Sequence, residues 1–123
     1  TGLEVTALNG APGVFSARYA GPQRNADDNM NLVLARLQPK HDRTAQFKTV
    51  IALHFQGELI TFEGICKGKI TETKRGTDGF GYDPIFQPAN YKATFAELSM
   101  AEKNRIGHRG QAVAKLISYL NRH

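Results

Sequence analysis

The stretch RGTDGFGYDPIF, residues 75–86, combines glycine, aromatic and acidic residues at spacings that suit a planar ligand. Its three glycines permit backbone torsions and close approaches that a Cβ would block. Phe80 and Tyr82 offer ring faces for stacking with a base, and Asp83 adds an acceptor that the following proline helps to fix. The same spacing also fits a simple glycine-rich turn with Phe80 and Phe86 in the core. The stretch alone therefore leaves both interpretations open.

A second group of residues with chemical potential is EKNRIGHRG, residues 102–110, which is rich in cations. His108 and Arg109 fall where a helix is predicted to begin, and the unpaired N–H groups of a helix N-terminus favour phosphate or carbonyl oxygens. Lys103 adds a positive charge from the preceding helix. The alternative is a solvated basic stretch between two helices. A nucleotide would suit both groups together, but the sequence alone does not bring them into contact.

The elements around these groups follow from hydrophobic periodicity. A period of two predicts a strand over residues 2–8, and apolar residues at i, i+3, i+4 and i+7 predict a helix over residues 27–38, ended by Pro39. Alternating residues in 46–56 and 58–73, joined through Gln56, Gly57 and Glu58, predict a long hairpin. Together these elements predict an α/β fold with a mainly antiparallel sheet and helices packed on it.

The glycines in the second hairpin strand and the C-terminal helices give more specific expectations. Gly64 and Gly68 share a strand face and predict either a bulge or a close approach by another backbone. Thr94 and Glu97 form a capping box that predicts a helix ending near Gly107. A last helix is predicted over residues 109–121, with a core stripe of Val113, Leu116, Ile117 and Leu120.

Composition narrows the class of protein. With 123 residues, 41% hydrophobic and 22% charged, residues 1–123 are expected to form a single globular domain. Cys66 is the only cysteine, so the sequence contains neither an internal disulfide nor a C-x-x-C motif, as expected of a cytoplasmic protein. No apolar run has the length of a membrane helix. The net charge of +5 favours an anionic partner.

Five motifs occur in an order that matches a known family. They are TGLEV, NGAPGVFSARYAG, GFGYDPIF, TFAEL and EKNRIGHR, and they extend over essentially the whole chain. In this order the sequence resembles the inosine/xanthosine triphosphate pyrophosphatases, which clear deaminated purine nucleotides. The resemblance implies a long, largely antiparallel sheet flanked by helices. It also implies a homodimer that acts on a purine nucleoside triphosphate with Mg²⁺. No nucleic-acid partner is expected, because the sequence has no basic repeat or RNA-binding motif, and no membrane partner is expected, because it has no long apolar run.

The resemblance assigns substrate contacts position by position. The implied contacts are Thr1, Phe80, Gly81, Tyr82, Asp83, Lys103, His108 and Arg109. A serine that often precedes the H-R pair is Gly107 here, so any contact of that side chain is absent. The implied reaction is attack of a metal-activated water on the α-phosphorus, which releases pyrophosphate and a nucleoside monophosphate.

The sequence also departs from the family pattern. It lacks the T/S-G-N-x-x-K phosphate-binding stretch and the acidic pair that precedes T/S-G-L-E-V. We therefore expect the chain to be the C-terminal two-thirds of such an enzyme, with its catalytic residues and metal ligands upstream of Thr1 and no significant activity of its own. Asp27 and Asp28 suit a helix N-terminus better than a metal site. The alternatives are a non-catalytic module that binds nucleotides or nucleic acid, and a dimerisation fragment.

Overall fold

A four-stranded antiparallel sheet forms the centre of the computed structural model, which describes residues 1–77, 79 and 81–123. Its strands β1–β4 lie side by side in chain order; they are β1 (Gly2–Val5), β2 (Thr44–Phe55), β3 (Glu58–Ile70) and β4 (Phe86–Pro88). The α-helices in the described part of the chain are α1 (Ala26–Leu37), α2 (Met100–Ile106) and α3 (His108–Arg122). The predicted α/β class with an antiparallel sheet is confirmed. Phe80 and Asp78 lie outside the described residues.

The β2–β3 hairpin is the longest feature of the sheet, and it was predicted correctly. Its register runs without interruption from Thr44 opposite Lys69 to Phe55 opposite Glu58. Gln56 and Gly57 both have left-handed φ angles, of 52° and 82°, as a two-residue hairpin turn requires. The unbroken register leaves no room for a bulge in the hairpin.

The other prediction for Gly64 and Gly68, a close approach by another backbone, is confirmed. A Cβ on Gly64 would overlap the carbonyl oxygen of His108 and lie 2.8 Å from the backbone nitrogen of Ala112, both in α3. A Cβ on Gly68 would overlap the carbonyl oxygen of Gln87 in β4. The two glycines therefore set how closely α3 and β4 approach β3.

Helix α1 was also predicted to within one residue at each end. Its N-cap is Asn25, whose side-chain oxygen accepts a hydrogen bond from the backbone N–H of Asp28 at 2.9 Å. Met30, Val33 and Leu37 of its apolar face are buried in the same cluster as the β1 residues Leu3 and Val5. Local caps and helical periodicity agree in this segment, which explains the success of the prediction.

Three phenylalanines pack together in the rest of the core, which also contains the single cysteine. Phe47, Phe86 and Phe95 have ring centroids 4.6 to 5.7 Å apart. Cys66 is 6% exposed on β3, and burial raises the pKa of its thiol to about 11. No helix among the described residues has the length and hydropathy needed to cross a membrane.

Two predictions about element boundaries were wrong. The first strand ends at Val5, and residues 6–8 form a 3-10 turn. The capping box of Thr94 and Glu97 is present, but it opens only a 3-10 turn over residues 95–97. Ser99 then caps α2 separately by accepting from the N–H of Glu102 at 3.2 Å, since two capping residues close together each begin a segment of their own.

The predicted core stripe of α3 was wrong as well. Val113, Ile117 and Leu120 are 42%, 52% and 44% exposed, whereas Ala112 is fully buried. Ala112 is the residue whose backbone crosses Gly64. The orientation of α3 is therefore set by a small-residue contact with β3 rather than by its most apolar face.

Candidate functional site

A cleft of about 690 Å³ brings together the two residue groups that the sequence could not connect. Its walls come from β1, the start of α1, the loop before residue 83, and both sides of the α2–α3 corner. Of the predicted substrate contacts, those in the described residues all line it: Thr1, Gly81, Tyr82, Asp83, Lys103, His108 and Arg109. Phe80 lies outside the described residues. The structure thus places segments separated by up to about a hundred residues around one space.

A shielded ion pair joins the glycine-rich loop to α2. The Lys103 Nζ lies 3.5 Å from the Asp83 Oδ2, and the two side chains are 15% and 14% exposed. Gly79 passes beside this pair with a left-handed φ of 92°, and a Cβ there would lie 2.7 Å from the Lys103 Nζ and overlap the Asp83 carboxylate. Only glycine fits this position, because of the left-handed φ and the close side chains of Asp83 and Lys103. This explains why the sequence has a glycine at this point of the loop.

His108 faces the cleft as a neutral imidazole. Its ring stacks on Phe47 at 4.8 Å between centroids and lies 6.4 Å from Phe95. Burial lowers the pKa of His108 to about 4, with smaller contributions from the Arg109 guanidinium and the N-terminal amino group. Its buried Nδ1 has no hydrogen-bond partner among the described residues. A buried polar atom without a partner is costly, which favours a ligand group as its partner.

The exposed side of the cleft is rich in hydrogen-bond donors. Arg109 is exposed in the first turn of α3, where the helix N-terminus favours anionic groups. Arg24 is also exposed, just before α1, and has a left-handed φ of 55°. The hydroxyl of Thr1 lies 2.9 Å from the hydroxyl of Thr49 on β2. Positive charge next to small polar groups suits phosphate or carbonyl oxygens.

Tyr82 lies in the cleft wall but does not offer an open ring for stacking, so that expectation was wrong. Its side chain is 5% exposed, and its hydroxyl donates a hydrogen bond to the Ser16 carbonyl oxygen at 2.6 Å. Burial, with a smaller contribution from Tyr19, raises the pKa of Tyr82. The residue therefore joins the glycine-rich loop to the 3-10 turn over residues 13–18.

The comparisons with known proteins agree with this geometry. The Ham1 family model matches residues 1–119. The chain belongs to the Ham1 family. A dITP/XTP pyrophosphatase of Flavobacterium johnsoniae is 63% identical over 120 residues, and the alignment covers 98% of the chain and 62% of that relative. A dITP/XTP pyrophosphatase of Christiangramia forsetii is 53% identical over 122 residues, with 99% and 64% covered.

A solved Ham1-family structure shows the same fold. The Staphylococcus aureus Ham1 protein has a TM-score of 0.94 and 43% identity, and the superposition covers 98% of this chain and 63% of that one. The chain thus spans just under two-thirds of the length of each of these three relatives. The matches extend over nearly all of its own residues, and they do not bear out the expectations of a missing N-terminal part and of an inactive fragment.

Several residues of this Ham1-family cleft were not predicted from the sequence. Asn29 is 4% exposed, its Nδ2 donates to the Ala17 carbonyl at 3.0 Å, and its Oδ1 accepts from the Ala20 N–H at 2.8 Å. Ser16 accepts from the Leu3 N–H at 3.0 Å. Arg24 was also missed. An asparagine inside the buried face of α1 was a usable signal. Ser16 lies in the short 3-10 turn over residues 13–18 and Arg24 lies in a loop, and neither segment has a periodicity to read.

Metal ligands are among the parts of the expected site that these residues do not provide. Among the described residues, no group of three His, Cys, Asp or Glu side chains could hold a metal ion. Asp27 instead pairs with Lys74 at 3.2 Å, and Glu4 accepts a hydrogen bond from Gln46 at 2.7 Å. The described residues therefore do not fit a Mg²⁺ centre.

Proposed function

We propose that the protein hydrolyses the deaminated purine nucleoside triphosphates ITP, dITP and XTP to the monophosphate and pyrophosphate. The observation that carries this proposal is the convergence of Asp83, Lys103, His108 and Arg109 on one cleft. The names of the Ham1-family relatives support it. In the reaction, a water oxygen bonds to the α-phosphorus, the bond from that phosphorus to the oxygen bridging to the β-phosphorus breaks, and pyrophosphate leaves.

Selection of the base follows from hydrogen-bond polarity. A 6-oxo purine presents an acceptor at O6 and a donor at N1, whereas adenine presents the reverse. Arg109 has only donors, so it pairs with O6 but leaves adenine's amino group unpaired. Unpaired polar groups cost enough in a closed site to reject the wrong substrate by orders of magnitude. His108 adds one donor and one acceptor, since its lowered pKa keeps it neutral at pH 7.

The charges in the cleft divide the nucleotide into two ends. Asp83 and Lys103 already neutralise one another, so they suit the polar edge of a base or sugar rather than the triphosphate. Arg24 has no ion-pair partner among the described residues. We therefore assign it to the phosphate end of the cleft, where its donors match phosphate oxygens.

Mg²⁺ dependence, a homodimer and a cytoplasmic location complete the proposal. The described residues offer no fitting metal site, so the assignments above involve no step at a metal. Activity with added Mg²⁺ and with EDTA tests the requirement directly. Light scattering at two protein concentrations tests the dimer.

The test of the function is pyrophosphate release from ITP, XTP and ATP by the 123-residue chain and by a full-length relative. We expect ITP and XTP to be hydrolysed at least about a hundredfold faster than ATP, since a site built on donors to O6 rejects the reverse pattern. Arg109→Leu removes these donors, and we expect it to abolish the preference. Equal rates on ATP and ITP would refute the proposed selectivity.

A chain that binds nucleotide without hydrolysing it is the second candidate. The observation that favours it is the missing metal-ligand group among the described residues. Calorimetric binding of ITP without pyrophosphate release by the 123 residues would support this candidate, and turnover would exclude it.

A further inference from the structure

Gln111 lies outside the cleft but joins β3 to α2 and α3, the two helices whose corner forms part of the cleft wall. Its side-chain Oε1 accepts a hydrogen bond from the backbone N–H of Ile65 on β3 at 3.3 Å. Its Nε2 donates to the backbone carbonyl of Ile106, the last residue of α2, at 3.1 Å. One side chain in the first turn of α3 therefore contacts both β3 and the end of α2.

The two backbone groups that Gln111 binds have no hydrogen-bond partner within the regular sheet and helix ladders of the described residues. β4 pairs only with residues 68–70 of β3, so the strand edge at Ile65 faces α3 instead of another strand. The last carbonyls of a helix lack intrahelical donors, and the chain turns sharply into α3 at Gly107, whose φ and ψ are −71° and 154°. Gln111 thus satisfies groups at an exposed strand edge and at a helix end.

The location of this contact connects it to substrate recognition. Lys103 precedes the α2–α3 corner, and His108 and Arg109 follow it, so the three are held relative to one another by the corner itself. We propose that Gln111 is a positioning residue that fixes the α2–α3 corner against β3 and thereby places His108 and Arg109 for base selection. This proposal rests on the proposed function for its substrate.

The next turn of α3 supplies a matched control. The Lys115 Nζ donates to the Glu63 carbonyl oxygen on the same edge of β3 at 2.7 Å. Lys115→Met therefore removes a contact between α3 and β3 without touching the corner. Gln111→Met removes both contacts of Gln111 at similar volume. Gln111→Glu keeps the acceptor for Ile65 and loses the donor to Ile106.

The experiment compares wild type with these variants by three measurements: thermal unfolding, the pKa of His108 by NMR titration without nucleotide, and dissociation constants for ITP and ATP by calorimetry. We expect Gln111→Met to raise the pKa of His108 toward its ordinary value, because the corner moves away from the sheet and exposes the ring. We also expect it to weaken ITP binding about tenfold while ATP binding stays unchanged. Lys115→Met should lower the melting temperature less, because its bond is exposed, and leave both other measurements unchanged.

Two outcomes separate the positioning role from a merely structural one. If Gln111→Met lowers the melting temperature but leaves the His108 pKa and the ratio of ITP to ATP affinity at wild-type values, the positioning role is refuted. If wild type binds ITP and ATP equally while Gln111→Met still shifts the His108 pKa, the corner is fixed as proposed and the proposed function fails. Gln111→Glu should fall between wild type and Gln111→Met.

Discussion

The crossing of α3 over Gly64 offers a sharp test of how the cleft is held together. Gly64→Ala adds one methyl group at a point where its carbon would overlap the His108 carbonyl oxygen and lie 2.8 Å from the Ala112 nitrogen. Ordinary van der Waals contact begins at 3.4 Å. The strand is held in register by β2, so the helix is the part that must move.

The size of the effect follows from these distances. The contact with Ala112 must lengthen from 2.8 to at least 3.4 Å, and the contact with the His108 oxygen by more. Overpacking of this kind costs about 1–3 kcal/mol of the free energy of unfolding. The displaced turn carries His108 and Arg109, and a misplacement of about 1 Å in a site can cost on the order of a hundredfold in rate. We therefore expect loss of both stability and ITP recognition.

The assay pairs urea unfolding with ITP binding and uses Gly57→Ala as its control. Gly57 has a φ of 82° and nothing within 4 Å of an added Cβ, so alanine there costs about 1–2 kcal/mol of backbone strain far from the cleft. Gly57→Ala should lower stability and leave ITP affinity unchanged, whereas Gly64→Ala should lower both. Wild-type stability together with wild-type ITP affinity in Gly64→Ala would show that the crossing is not tight.

Three further predictions concern the cleft. Arg24→Ala should weaken ITP binding roughly tenfold through the lost charged hydrogen bonds but change the free energy of unfolding by less than about 0.5 kcal/mol; equal affinity for ITP and inosine in wild type would contradict its phosphate role. Tyr82→Phe should cost about 1 kcal/mol in urea unfolding, because the bond to the Ser16 carbonyl is lost; an unchanged unfolding midpoint would contradict this. The pKa of His108 is lowered to about 4 in the folded protein, below its ordinary value of about 6.5 in the unfolded chain. Between these two pH values the unfolded chain therefore binds more protons than the folded protein, so the free energy of unfolding should fall as pH decreases from about 6.5 to 4. His108→Gln should remove that part of the pH dependence, and an identical profile would count against the buried neutral imidazole.

The parts of the fold that the sequence predicted are those whose signals are local. The first helix has an N-cap, acidic residues in its first turn and helical periodicity in one segment, and these agree. The hairpin has alternating strands and a two-residue turn with a glycine. In both cases neighbouring residues determine the conformation, so a short window of sequence contains the necessary information.

The parts that the sequence missed depend on contacts between distant segments. The most apolar face of α3 is exposed because Ala112 must fit against Gly64, and no periodicity within the helix reveals that partner. Tyr82 was expected to face a ligand, yet its hydroxyl binds Ser16, 66 residues away in sequence. The seven described substrate-contact candidates do line one cleft, but they were predicted from the motif resemblance and not from their spacing in the sequence.

The reactivity of the single cysteine can be used to measure local unfolding of this molecule. Cys66 lies in the core with a thiol whose pKa is raised to about 11, so in the closed protein it is both covered and protonated, and a thiolate is the form that reacts. Alkylation at neutral pH therefore proceeds through transiently opened molecules, and its rate measures how often β3 leaves the core. Because the sequence contains no second thiol, mass spectrometry can follow that opening in every variant without an added label.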